Sequence, residues 1–346
     1  MTIHEALLKL LRRESLTAEE AAEVMAVVME GEATPAQIAG LLTALRMKGE
    51  SVEEIAGFAR VMRAKAVCIA PRRAPLVDTC GTGGDRLKTF NISTAAAFVV
   101  AGAGVAVAKH GNRSVTSKSG SADVLEELGV NLAVAPEVVE ACIEQIGVGF
   151  LFAQRFHPAM KHAGPVRREI GFRTVFNVLG PLTNPAGAPY QVMGVYDPEL
   201  TEPLANVLRL LGSRRAFVVH GMLGLDEWST AGATRVSELR DGVVTTCLYY
   251  PAELGIPEAA PEALSGGLPA ENAQLIYRLF RGEGGPKRDI VLLNAAAALL
   301  ATDHAADMHD ALQQAAVSID SGAAMEKLQG LREFTRDQEK YESSVR

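Results

Sequence analysis

"DTCGTGGDRLKTFNIST", residues 78–94, decides the fold, because it follows the apolar run Pro75-Leu76-Val77 and runs into the alanine- and valine-rich segment after residue 94. A strand that ends in glycines and polar residues and then opens a helix is the start of an α/β unit. Glycine lets the backbone turn sharply and approach a ligand closely, and freed N–H groups ahead of a helix N-terminus attract anions. A phosphate group is therefore the first ligand to consider. Read alone, the stretch could equally be a surface turn in which Asn91 to Thr94 cap the helix.

A second stretch repeats the logic after the next apolar run. "AKHGNRSVTSKSGSAD", residues 108–123, sets Lys109, His110, Asn112, Arg113 and a series of hydroxyls between a strand and a helix. Loops at the ends of successive parallel strands share one sheet edge, where open α/β folds bind ligands, so the two loops together imply one anionic ligand. Neither fits a common nucleotide fingerprint: "GTGGD" is not G-x-x-x-x-G-K-[ST], and "AGAGVAVA" precedes its strand instead of following it. In "HGMLGLDEWSTAGATRVSEL", residues 220–239, Asp226 and Glu227 follow a strand, a pair that suits Mg²⁺ or a solvated acidic turn. In "HPAMKHAGPVRREIGFRTVFNVLGPLTNP", residues 157–185, Arg167, Arg168 and Arg173 offer planar forks for a carboxylate. His157 and His162 are candidate ligands or bases, or packing residues.

Outward from these loops the chain reads as two parts. Residues 1–72 are helical, with capping boxes at Thr17/Glu20, Thr34/Gln37 and Ser51/Glu54, stops at Gly31 and Gly49, and an apolar face at Leu41, Leu42 and Leu45. Residues 73–346 alternate strands and helices, which predicts an α/β domain with a mostly parallel central sheet flanked by helices. Strands are expected over 76–78, 105–108, 148–152, 191–196 and 216–220. Helices are expected over 93–101, 122–128, 136–146, 199–211, 270–280 and 289–301. The stretch 153–190 shows no clear periodicity and is read as crossing between the parts, with about 160–185 contributing to the helical one.

At 346 residues, 48% hydrophobic and 22% charged, the chain is an ordinary globular protein. A net charge of -7 argues against nucleic-acid binding. Cys68, Cys80, Cys142 and Cys247 form no C-x-x-C pair, so zinc and disulfide frameworks are not indicated and a reducing compartment is. The N-terminus lacks a signal-peptide pattern and no long apolar run exists, so the expectation is a cytoplasmic protein that does not span a membrane.

"DTCGTGGD", "KTFNIST", "KHGNRSVTSKSGSAD", "GPLTNP" and the "LDE" of Leu225 to Glu227 stand in the order and spacing of the anthranilate phosphoribosyltransferase family. The chain resembles that family from its helical start to "ENAQLIYRLFRGEGGPKRDIVLLNAAAAL", residues 271–299. The resemblance implies transfer of a phosphoribosyl group from 5-phosphoribosyl 1-diphosphate to anthranilate in tryptophan biosynthesis, with Mg²⁺, by a homodimer joined through the helical domain. It assigns the donor to Gly81, Gly84, Asp85, Thr89, Asn91, Ile92, Ser93, Thr94, Lys109, His110, Gly111, Asn112, Arg113, Ser114, Val115, Thr116, Ser117 and Ser121. Anthranilate falls to Gly81, Asn112 and Arg167, the last at its carboxylate, and magnesium to Ser93, Asp226 and Glu227. Lys109, Arg167, Asp226 and Glu227 are the residues expected to carry catalysis.

These residue types suit the chemistry. Loss of diphosphate leaves a cation-like sugar centre and a heavily charged leaving group, so stabilising negative charge is the main task. Anthranilate's amine is already neutral, so placement near the anomeric carbon needs no strong base. A pyrimidine nucleoside phosphorylase would share the fold but carries a different glycine signature and a longer chain. A nucleic-acid-binding relative would be expected to lack the acidic pair. An acceptor other than anthranilate among aromatic amines stays open.

Overall fold

The computed structural model describes residues 1–85, 87–114 and 118–337; the expectations for Val115, Thr116 and Ser117 lie outside the described residues. The chain opens with α1 (Ile3–Leu11), α2 (Ala18–Glu30), α3 (Pro35–Lys48) and α4 (Val52–Ala64). All four begin with a reciprocal capping box, the three expected and a further one at Thr2/Glu5. In each, the hydroxyl accepts from the N–H three residues on while the Glu or Gln side chain answers the cap's own N–H. Gly31 closes α2 in the left-handed conformation. The apolar face of α3, Ile38 with Leu41, Leu42 and Leu45, is buried.

The α/β part follows as β1 (Leu76–Asp78), α5 (Ile92–Gly102), β2 (Ala106–Gly111), α6 (Ser121–Glu127), α7 (Pro136–Gln145) and β3 (Val148–Phe152). Then come α8 (Ala153–Phe156), α9 (Met160–Ile170), α10 (Phe176–Leu182), β4 (Tyr190–Gly194), α11 (Thr201–Leu210) and β5 (Arg215–Gly221). The chain continues through β6 (Thr234–Arg240), β7 (Val243–Tyr249), α12 (Pro269–Phe280), α13 (Pro286–Ala301), α14 (Met308–Asp320) and α15 (Ala323–Arg336). One sheet runs β3-β2-β1-β4-β5-β6-β7, parallel through β5 and antiparallel beyond it. Strand order reverses between β1 and β4, so the carboxyl ends of those two strands frame the crevice where this architecture binds ligands.

Alternation along the strands covers both sheet faces. Val77, Val107, Val192, Phe217 and Val219 enter the core shared with α5, α12, α13 and α15. Met193, Val195, Ala216 and Val218 enter the core built by α1–α4, together with Val166, Phe176 and Leu182 from α9 and α10.

Several sequence expectations are corrected. The strand expected to stop at Ala108 continues to Gly111, so Lys109, His110 and Gly111 are strand residues and not loop residues. Burial beside β3 outweighs their polar character. The stretch 153–190 holds three short helices, two of them interrupted by Pro165 and Pro181, which break the apolar periodicity. The hairpin β6–β7 and the helices α14 and α15 were not anticipated at all.

Candidate active site

Period-two geometry sends neighbouring Lys109 and His110 to opposite faces of β2. Lys109 points to the α5 side. Its Nζ donates to the Thr79 carbonyl at 2.7 Å and to Ser93 Oγ at 3.2 Å, and only 3% of the residue is exposed. It lies beneath the glycine-rich loop as a buried floor. His110 points toward α10, where Nδ1 sits 2.9 Å from the Gly180 carbonyl and the ring centre 5.1 Å from that of His157. A carbonyl only accepts, so Nδ1 carries the proton and Nε2 presents a lone pair, with no partner among the described residues. Burial, reinforced by His157 and Lys109, pushes His110 down to about 3. It is too weak a base to take a proton.

Asp78, at the end of β1, was missed by the sequence reading. Its Oδ1 accepts from the His110 N–H at 3.1 Å and its Oδ2 from Asn184 Nδ2 at 2.7 Å. Asn184 Nδ2 also donates to the Ala108 carbonyl at 2.8 Å, tying the "LTNP" turn to β1 and β2. Burial pushes Asp78 up to about 6 against the pull of Lys109.

Across the crevice, Asp226 and Glu227 are brought in by a close backbone approach. A Cβ on Gly194 would run into the Asp226 carbonyl, so only glycine at the end of β4 lets the acidic turn lie there. Asn294, a lone amide in apolar α13, clamps the turn from behind: its Oδ1 accepts from the Trp228 N–H at 2.9 Å and its Nδ2 donates to the Trp228 carbonyl at 2.8 Å. The Ser93 N–H, in the first turn of α5, donates to Glu227 Oε1 at 3.2 Å, a carboxylate at the positive helix end. Both carboxyls are nevertheless pushed up. Burial is the main cause for each, with Asp85 adding to it at Asp226 and Asp226 adding to it at Glu227.

The remaining expected residues divide by what they touch. Gly81 lies against Asp226 and the Gly194 carbonyl. The Asp85 carboxylate accepts from the Thr89 N–H at 2.8 Å and from its hydroxyl at 2.9 Å, while Gly84 is covered by Arg173. Asn91 fastens the loop at Ser119 to Asn272 on α12. Ile92 and Thr94 are buried in the core on α5, which leaves mainly their backbone for a ligand. Asn112 is used in its own turn, its carbonyl accepting from the Ser121 hydroxyl and its Oδ1 from the Arg113 N–H. The Ser114 N–H donates to Asp123 at 3.0 Å, and Gly111 packs against Ser121 and Phe150. Arg113 turns away onto α6, paired with Asp123 and Glu126. Arg167, on α9, holds its guanidinium 5.1 Å from the centre of the Phe176 ring, half-buried and lowered in pKa by burial. Among the described residues no cluster of three His, Cys, Asp or Glu side chains could hold a metal by itself.

The sequence matches the helical bundle domain of the glycosyl transferase family over residues 4–66 and that family's a/b domain over residues 73–325. It is 58% identical over 320 residues to the anthranilate phosphoribosyltransferase of Symbiobacterium thermophilum, covering 92% of this chain and 94% of the relative. The enzyme of the same name from Pelotomaculum thermopropionicum is 56% identical, with 99% and 100% covered. Among solved structures, the anthranilate phosphoribosyltransferase of Thermus thermophilus superposes with a TM-score of 0.91 at 48% identity, covering 96% of this chain and 99% of that one. The Saccharomyces cerevisiae enzyme in complex with PRPP and Mg superposes with a TM-score of 0.88 at 28% identity, covering 96% and 98%. This chain belongs to the anthranilate phosphoribosyltransferase family.

Proposed function

We infer that the protein joins anthranilate to 5-phosphoribosyl 1-diphosphate: the anthranilate nitrogen bonds to the anomeric carbon, the carbon–oxygen bond to diphosphate breaks, and the nitrogen loses one proton. The products are N-(5-phosphoribosyl)anthranilate and diphosphate, a step of tryptophan biosynthesis. The observation that carries this is the placement of half-buried Asp226 and Glu227 at the sheet's reversal, facing the glycine-rich loop and the first turn of α5.

Asp226, Glu227 and Ser93 are the residues that would hold Mg²⁺. Two half-buried carboxylates raised by their surroundings are a donor set that a cation relieves. Among the described residues no three such groups stand close enough to hold a metal by themselves, so water and donor oxygens would complete the shell, the usual mode for this ion. When bound, the ion offsets charge building on the departing diphosphate. Lys109 holds Ser93 in place from below and favours the ionised form of Glu227. The glycine-rich loop offers backbone N–H groups to the phosphates. Arg167 takes the acceptor's carboxylate through its planar fork, while His110 and His157, both lowered by burial, pack against each other behind Asp78 without moving protons.

The division falls at about residue 72, with 160–185 packing into the helical lobe. Two copies associate through that lobe, where Leu8, Leu11 and Met47 are 46%, 73% and 73% exposed; a single-chain mass by light scattering would overturn the dimer. No helix among the described residues is long and apolar enough to cross a membrane, and the exposed thiols Cys68 and Cys247 suit the cytoplasm. The deciding experiment is loss of anthranilate fluorescence on mixing the protein, the donor and Mg²⁺. Anthranilate consumed without stoichiometric diphosphate, or not at all, refutes the reading.

A further inference from the structure

Arg173 sits in the short connection between α9 and α10 and reaches across to the opposite wall of the site. Its Nη2 donates to the Gly84 carbonyl at 3.1 Å. Its guanidinium stacks on Tyr196, 4.1 Å from the ring centre. The Tyr196 N–H donates to Thr82 Oγ1 at 3.1 Å, and the Thr82 N–H donates to the Gly194 carbonyl at 2.8 Å. Loop residues 82–84 are thus stitched to the end of β4 and the residues just beyond it at two points through the Thr82 N–H and hydroxyl and at a third by Arg173. Gly84 fits this arrangement in two ways: its φ of +87° is left-handed, and a Cβ there would collide with Arg173 Nη2.

We propose that Arg173 is a positioning residue for the donor: it clasps the glycine-rich loop against Tyr196 and couples that loop to the segment carrying Arg167. The proposal rests on the phosphoribosyl-transfer reading for what the loop binds. The clasp itself rests on the contacts above. A loop already held in its binding shape loses little freedom when the ligand arrives, so the clasp acts on donor affinity and not on the bond-breaking step. Stacking and the fixed fork together select arginine, because an ammonium cannot lie flat on the ring.

The test compares Arg173→Ala, Arg173→Lys, Tyr196→Leu and Tyr196→Phe with the parent protein. Arg173→Ala and Tyr196→Leu should each raise the donor KM about tenfold while changing kcat less than about twofold. Tyr196→Phe, which keeps the ring, should recover most of that loss, and Arg173→Lys little of it. Limited trypsin digestion without substrates gives a readout independent of activity. Cleavage after Lys88 should speed up severalfold in Arg173→Ala and Tyr196→Leu at an unchanged melting temperature, because the loop opens locally. Unchanged donor KM and unchanged cleavage in Arg173→Ala overturn the proposal. So does a raised donor KM with cleavage at the parent rate, since the guanidinium would then be a direct donor contact. If the parent protein failed to consume anthranilate while the cleavage pattern held, the reaction assignment would fall and the clasp would stand.

Discussion

Two charge clusters, one buried and one half-buried, lie at the reversal of the sheet, and they differ in what surrounds them. At Asp78 the neighbours all favour the ionised form: the Lys109 charge, the Asn184 amide and the His110 and Thr79 N–H groups. At Asp226 and Glu227 like charges add to burial, Asp85 at both and Asp226 at Glu227, against the pull of Arg173 on the first and Lys109 on the second, and neither carboxylate has an ion-pair partner among the described residues. The first cluster is complete within the chain and holds β1, β2 and the Asn184 turn together. The second keeps raised carboxyls despite its positive neighbours, which suits the cation of the proposed function. Polar burial that satisfies itself builds a fold, whereas polar burial left in excess marks a place where a ligand supplies the missing charge.

The sharpest way to break this contrast is to neutralise the overcharged corner. Asp226→Asn with Glu227→Gln should lower turnover in saturating Mg²⁺ by about a thousandfold or more, on the order of 4 kcal/mol in the barrier. In chelator, the same variant should melt higher than the parent. Both carboxyls have raised folded-state values, so at neutral pH their ionised forms cost stability that the amides do not. Retained turnover, or a lower melting temperature, would remove the distinction between the clusters.

The complete cluster should respond with the opposite sign. Asp78→Ala strands the His110 N–H, the Asn184 amide and the Lys109 charge, and should cost about 2–4 kcal/mol of stability in urea unfolding. A loss below about 1 kcal/mol would mean that the network does not hold the strands.

Arg167 gives a smaller, more selective effect. It rests on a ring rather than on a carboxylate, and the proposed function gives it the acceptor's carboxylate. Arg167→Ala should raise the anthranilate KM about thirtyfold, near 2 kcal/mol, and leave the donor KM nearly unchanged. Arg167→Lys should recover little. Equal weakening of both substrates would make Arg167 a joint between the lobes instead of an anthranilate contact.

The two clusters were unequally legible in the sequence. Asp226-Glu227 stood out as adjacent carboxylates after a strand, and the glycines at 81, 83 and 84 announced a loop. Asp78 did not stand out, because an aspartate at a strand end looks like the first residue of a turn and its partners, His110 and Asn184, lie 32 and 106 residues away. Lys109 and His110 were read as loop residues because polarity outweighed strand pattern, and only pairing with β3 shows that they part to opposite faces. The β6–β7 hairpin carries its own signal in the sequence. "RDGVV", residues 240–244, contains Asp-Gly ahead of the β-branched run 243–246, and both turn residues adopt positive φ, 51° and 77°, as a type I′ hairpin requires. Asn294 had a signal too, as a lone amide among alanines and leucines. Arg173 stands out only as a fork for a carboxylate, whereas its partners are a ring and a carbonyl from two other segments, for which the sequence holds no signal.

The finest test concerns the two histidines behind the complete cluster. Burial pushes His157 down to about 4, with its bond to the Thr183 backbone opposing, and His110 lower still. The unfolded chain therefore binds protons near pH 6.5 that the folded chain refuses, so this contribution to stability is present at neutral pH and lost as pH falls from about 6.5 toward 4. Asp78, Asp226 and Glu227 have raised values and act in the opposite direction, which blurs the parent's own pH profile. Subtraction isolates the histidine. His157→Gln leaves those carboxyls in place, so between pH 7 and pH 5 the parent should lose about 1–2 kcal/mol more stability than the variant does. Chemical unfolding of both proteins at the two pH values measures this directly. Parallel losses would mean that His157 is already hydrated and freely titrating, and that the wall behind the complete cluster is wetter than its packing against His110 implies.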